Sequence, residues 1–151
     1  MDVTIGEAWK PAAGTQLCLN GHSIVQTSGT NTNQVAAITI EAEKSFTLTD
    51  CAATPGTITH QSGKKSEGVL VSGGSFTMYG GKISGNTSSD SNGGDGGGVT
   101  LTGGSFTMCG GEISGNTAKN DGGGVGLDWG GGFAMEGGEI SNQNHAFNAW
   151  F

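Results

Sequence analysis

Residues 98–118, GVTLTGGSFTMCGGEISGNTA, decide the fold, because the chain says nearly the same thing just before and just after. Residues 68–88 read GVLVSGGSFTMYGGKISGNTS, and residues 124–144 read GVGLDWGGGFAMEGGEISNQN. Self-similarity at a period of about thirty residues or slightly less marks a stacked solenoid. Each copy holds three short runs in which apolar and polar residues alternate, separated by Gly-Gly or Ser-Gly. A spacing of two puts the apolar residues on one face of a strand. No single copy can bury that face alone, but a stack can.

Aligning the copies on phenylalanine gives the internal columns. Phe46, Phe76, Phe106 and Phe133 form one, and Leu48, Met78, Met108 and Met135 form the next. Ile58, Ile83, Ile113 and Ile140 form a third. The first run of each copy adds Ile38, Val69, Val99 and Val125, then Ile40, Val71, Leu101 and Leu127. Residues 35–61 fit as an earlier, divergent coil, and Thr15 to Val25 as part of another. Neighbouring coils of such a helix lie about 4.8 Å apart, so like side chains stack directly. The Gly-Gly pairs fit turns that need positive φ or close backbone approach. Asn86 and Asn116 fall at equivalent places after the third strand, flanked by Gln61 and Gln143, and read as an amide ladder along the axis.

Composition narrows the class. Glycine supplies 31 of 151 residues without a Gly-X-Y period, which excludes collagen. Charged residues are 13% and the net charge is −7, with six lysines and no arginine. A nucleic-acid partner requires clustered Lys and Arg, so none is expected. No apolar run approaches a membrane span, so no membrane insertion is expected. No signal peptide precedes Asp2-Val3-Thr4-Ile5, and Met1 running straight into strand-like sequence reads as an excised fragment. Cys18, Cys51 and Cys109 form no CxxC and read as structural filler, with an odd thiol left over.

The motif GGSFTMCGGEISGNTA at 103–118, followed by GGGV at 122–125, resembles the glycine-rich right-handed parallel β-helix repeats of bacterial cell-surface proteins. It is similar to the polymorphic outer-membrane protein repeat, in which a Gly-Gly-Ala-Ile element alternates with a Phe-x-x-Asn element. Ile83-Ser84-Gly85-Asn86 and Ile113-Ser114-Gly115-Asn116 stand in the second place, with Ile for Phe. Gly97-Gly98-Val99 and Gly123-Gly124-Val125 stand in the first. The likeness covers 68–144 well and 15–61 loosely, through Leu17-Cys18-Leu19-Asn20-Gly21-His22-Ser23-Ile24. It implies an extracellular or cell-surface setting. The fold expected is all-β, a single-stranded right-handed parallel β-helix (solenoid) of about four to five coils with three short strands per coil. Residues 1–151 form one domain: 1–34 an N-terminal cap and divergent first coil, 35–144 the repeat coils, 145–151 an aromatic C-terminal cap. Trp9 and Pro11 would begin a lid at the first end, because an open β-helix exposes unpaired strand edges. At the other, Phe147, Trp150 and Phe151 fold over the last coil or mediate end-to-end self-association.

Fold alone does not give function. The outward column of the first strand runs Glu41, Ser72, Thr102, Asp128, with Trp129 beside it and Asp95 and Asp121 in adjoining loops. The leading expectation is a non-enzymatic module for adhesion, contacting a glycan or a host or cell-surface protein through this face and the loops 61–67, 87–97 and 117–123. The alternative is a carbohydrate-active enzyme, a hydrolase or lyase, with Asp128 and Asp121 or Asp95 as acids and Trp129 as the sugar platform. A minor alternative is ice binding through Ser45, Thr47, Thr49, Ser75, Thr77, Ser105 and Thr107, an array that Tyr79, Cys109 and Glu136 interrupt. Gly93-Gly94-Asp95-Gly96-Gly97-Gly98 partly matches a calcium nonapeptide, but its aspartate is misplaced and unrepeated, so no cofactor is expected and calcium stays a weak alternative. Lys82 and Glu112 should form an exposed ion pair worth less than about 1 kcal/mol, with Glu139 next in the column. His22, His60 and His145 have no partner at ligand spacing, so no metal site is nominated.

Overall fold

Short alternating runs broken by glycine cannot sustain a helix, and the computed structural model is all-β, a parallel β-helix of about four turns. The structure describes residues 1–89, 96–120, 122–128, 130–141 and, in backbone only, 144–145. The divergent coils give β1 (Val3–Ile5), β2 (Thr15–Cys18), β3 (Ile24–Gln26), β4 (Ile38–Glu41), β5 (Ser45–Thr49) and β6 (Thr57–His60). The two best copies give β7 (Val69–Met78), β8 (Lys82–Ser84), β9 (Thr87–Ser88), β10 (Val99–Met108), β11 (Glu112–Ser114) and β12 (Thr117–Ala118). The last turn gives β13 (Val125–Leu127), β14 (Gly131–Met135), β15 (Glu139–Ser141) and β16 (Asn144–His145).

Three parallel sheets run along the axis. One stacks β1-β3-β6-β8-β11-β15; another stacks β13-β10-β7-β5-β2, with β4 beside β7 and β14 beside β10; the smallest is β16-β12-β9. In the two central turns the first and second strands run together as ten-residue strands. Their pairing slips near the Gly-Gly corners, between Leu101 and Ser105 and again beside Glu41. The connections expected at 87–97 and 117–123 begin in paired strand, β9 beside β12.

The register matches the internal columns. Phe46, Phe76, Phe106 and Phe133 are aligned, as are Ile58, Ile83, Ile113 and Ile140. Successive rings stack at centroid distances of 5.8, 4.7 and 5.0 Å. Burying each such side chain contributes about 1.5–3 kcal/mol. Trp9 enters the same column from the first end, its ring edge-on to Phe46 at 5.6 Å, and Pro11 is buried. Cover thins at the last turn, where Met135 is 49% exposed. Of the aromatic C-terminal segment, Phe147, Trp150 and Phe151 lie outside the described residues.

The amide ladder is present but its members differ from those expected. Asn86 and Asn116 are wholly buried, and the Asn86 amide donates to Asn116 Oδ1 at 3.0 Å. Asn116 Nδ2 donates to the Ile83 carbonyl at 2.9 Å. Gln61 is exposed and takes no part; His60 stands in its place, with Nδ1 2.8 Å from Asn86 Oδ1, and Gln26 pairs with His60 in the coil before. The shift arises because Gly85, at φ 70°, turns the chain one residue ahead of the strand register. Gln143 lies outside the described residues. The ladder also explains a glycine column: a Cβ on Gly68 would stand 2.8 Å from Asn86 Nδ2, and one on Gly98 would stand 3.0 Å from Asn116 Nδ2.

Candidate functional site

Alternation that sends Ile38, Val71 and Leu101 inward sends Glu41, Ser72, Thr102 and Asp128 outward, and all four are exposed. Glu41 lies opposite both Ser72 and Gly73, and Ser72 lies opposite Gly103, so Thr102 sits at the bulge. Asp128 follows β13; its N–H donates to the Leu101 carbonyl and its own carbonyl accepts from Gly131. The column therefore spans four successive turns. Glu41 is not bare: Lys10 Nζ donates to it at 2.7 Å, and that bond with the Lys10 charge holds its carboxyl below the ordinary 4.5. Asp95, Asp121 and Trp129 lie outside the described residues, so of the proposed acids only Asp128 has a described place.

Beside this column the corner between first and second strands forms a shallow groove of about 350 Å³. Its rim carries Glu43, Lys44, Ser45, Ser75 and Ser105, and its floor is Gly73, Gly74 and Gly104. Gly104 has φ 78°, and a Cβ there would lie 2.0 Å from the Gly74 carbonyl oxygen. The floor is backbone against backbone, which keeps the groove shallow. Alternation predicts the rim hydroxyls; the groove itself depends on the bulge, which leaves no periodic trace.

Two further surfaces are regular. Ser45, Ser75 and Ser105 align across the second-strand face, as do Thr47, Thr77 and Thr107. Gln16 precedes the threonine column and Ala134 follows it. At the first end of the stack, Val3, Ile5, Trp9, Leu17, Leu19 and Ile24 line an apolar mouth of about 440 Å³. Lys82 meets Glu112 at 2.9 Å, and Glu112 also accepts from Ser114 Oγ. Ser114 first, then Lys82, hold the Glu112 carboxyl below its ordinary value.

Asp50 belongs to no motif or column that would single it out in the sequence. One carboxylate oxygen accepts from Ala52 N–H at 2.9 Å and Gly21 N–H at 3.1 Å, and the other from Gly56 N–H at 2.7 Å. It thereby joins the turn after β5 to the turn after β2. Among the described residues no group of three His, Cys, Asp or Glu side chains is placed to hold a metal, and no helix is long and apolar enough to cross a membrane. No family model, no curated protein and no solved structure matches the chain.

Proposed function

We propose that the chain is a non-enzymatic, extracellular binding module. In this reading it holds a glycan, or an extended segment of a host or cell-surface protein, along the first-strand face and the glycine-floored groove. One observation carries it: a polar track of Glu41, Ser72, Thr102 and Asp128, with Ser45, Ser75 and Ser105 beside it, continues from turn to turn. Ser45, Ser75 and Ser105 present the same hydroxyl about 4.8 Å further along the axis at each of three turns. That spacing is close to the length of one pyranose residue, so a linear glycan laid along the axis meets equivalent groups with every sugar. The likeness to surface-protein repeats supports the extracellular setting.

A glycan array and a host-protein pulldown test this reading, with Ser105→Trp filling the groove as the control. Binding that Ser105→Trp weakens at least tenfold without a change in melting temperature supports it. No binding to any glycan or protein sinks it. If instead a polysaccharide is cleaved, with new reducing ends or unsaturated products that Asp128→Asn abolishes, the module is a carbohydrate-active enzyme. The aligned Ser and Thr columns favour a second reading, ice binding, for which thermal hysteresis lost in Thr77→Leu is the measurement.

A further inference from the structure

Cys18 and Cys51 belong to adjacent turns, and their sulfurs lie 3.5 Å apart. Both are exposed. Cys18 ends β2, which among the described residues is the edge strand of its sheet, hydrogen-bonded to β5. Cys18 lies opposite Thr49, and Cys51 follows two residues later, in the turn that Asp50 fixes. Because the same carboxylate also binds Gly21 N–H in the turn after β2, the segments carrying the two sulfurs are tied to each other on both sides of the pair. We propose that Cys18 and Cys51 are a redox pair that closes to a disulfide, stapling the first turn of the solenoid to the second.

The roles within the pair are unequal. The side-chain contact with Cys51, then that with Thr49, holds the Cys18 thiol below the ordinary 9.0, while the contact between the sulfurs pushes Cys51 up. Cys18 is therefore the attacking thiolate. Cys109 stands apart, 3.6 Å from Glu136 Oε2, and desolvation with that negative charge pushes its thiol up.

The oxidant is a low-molecular-weight disulfide such as oxidised glutathione. The Cys18 thiolate attacks one of its sulfurs; that S–S bond breaks and one half leaves as a thiolate. Cys51, as its thiolate, then attacks Cys18 Sγ and displaces the other half. The protein loses two protons and two electrons, and the reagent gains both as two thiols. The new bond closes a loop of about thirty residues at the end of the stack where a solenoid frays, so it removes unfolded-state freedom where the sheet gives least support.

Wild type is incubated with oxidised glutathione, remaining thiols are alkylated, and the intact and digested proteins are weighed. The expected result is one alkylated thiol, on Cys109, and a crosslinked peptide containing Cys18 and Cys51. The melting temperature rises by about 10 °C and dithiothreitol reverses it. Cys18→Ser and Cys51→Ser each abolish the crosslink and the rise; Cys109→Ser keeps both. Three alkylated thiols, glutathione retained on Cys18, or crosslinks only between molecules would overturn the pairing. An internal crosslink with an unshifted melting temperature would overturn the stapling.

Discussion

Phe106 has a phenyl ring on either side, Phe76 at 4.7 Å and Phe133 at 5.0 Å, and is 1% exposed. Phe106→Ala leaves a cavity in mid-column and should cost about 3–5 kcal/mol, whereas Thr107→Ala, pointing outward, should stay within about 0.5 kcal/mol. Equal, small shifts in denaturant midpoint would refute the inside–outside assignment. Two glycines make a similar contrast. Gly104 combines φ 78° with backbone of the neighbouring turn where its Cβ would stand, while Gly115, at φ 63°, faces open space. Gly104→Ala should lose roughly 3 kcal/mol or more, and Gly115→Asn, a residue that tolerates left-handed φ, within about 1 kcal/mol. Asp50 sets a pH dependence. Desolvation opposes its ionisation, but the N–H groups of Ala52, Gly56 and Gly21, helped by His22, hold its carboxyl below the ordinary 3.8. Its folded-state value lies below the unfolded one, so its contribution is fully present above about pH 4 and is lost as pH falls through the folded value. Asp50→Asn should cost about 1–2 kcal/mol near neutral pH, and the gap to wild type should close in acid melts. A gap that persists unchanged in acid would show that the carboxylate charge is not what matters.

Between coils, each strand meets its equivalent, and this is what made the elements legible. The columns at Phe46, Ile58 and Val69 were readable because stacking brings like onto like, so a packing contact becomes a repeated letter. The turns were less so. His60 replaces Gln61 in the ladder because Gly85 shifts the turn by one residue, which no alternation pattern records. Asp50 acts on backbone N–H groups, and these have no identity in the sequence. Cys18 and Cys51 meet across 33 positions in coils of irregular length, so their spacing matched no motif. The outward column was legible from alternation, but Lys10 on Glu41 comes from an unrepeated segment and was not. The ladder gives the test at this scale. Asn86 Nδ2 reaches the carbonyls of Ile58 and Ser84 as well as Asn116, all at 3.0–3.2 Å. Asn86→Ala orphans buried acceptors in two coils and should destabilise by about 2–4 kcal/mol, while Gln61→Ala should change little. Thermal melts of the pair decide it: comparable losses would restore Gln61 to the ladder.

A solenoid has no centre that every residue touches; each turn is held by its neighbours, so stability is expected to be graded along the axis. Among the described residues β7 and β10 have strands on both sides, whereas β1 and β2 each end a sheet with one neighbour there. At the apolar mouth beside them Trp9 covers the ring column, edge-on to Phe46. Removing that ring takes cover from the first turn and leaves the contacts of β10 untouched. Trp9→Ala should therefore speed amide exchange in β2 and β5 by roughly tenfold or more, with β10 exchanging as in wild type. Hydrogen exchange read by mass spectrometry on peptides from each turn separates the cases. Uniform acceleration through β10 would mean that the turns open together, and that Trp9 supports the whole stack rather than its end.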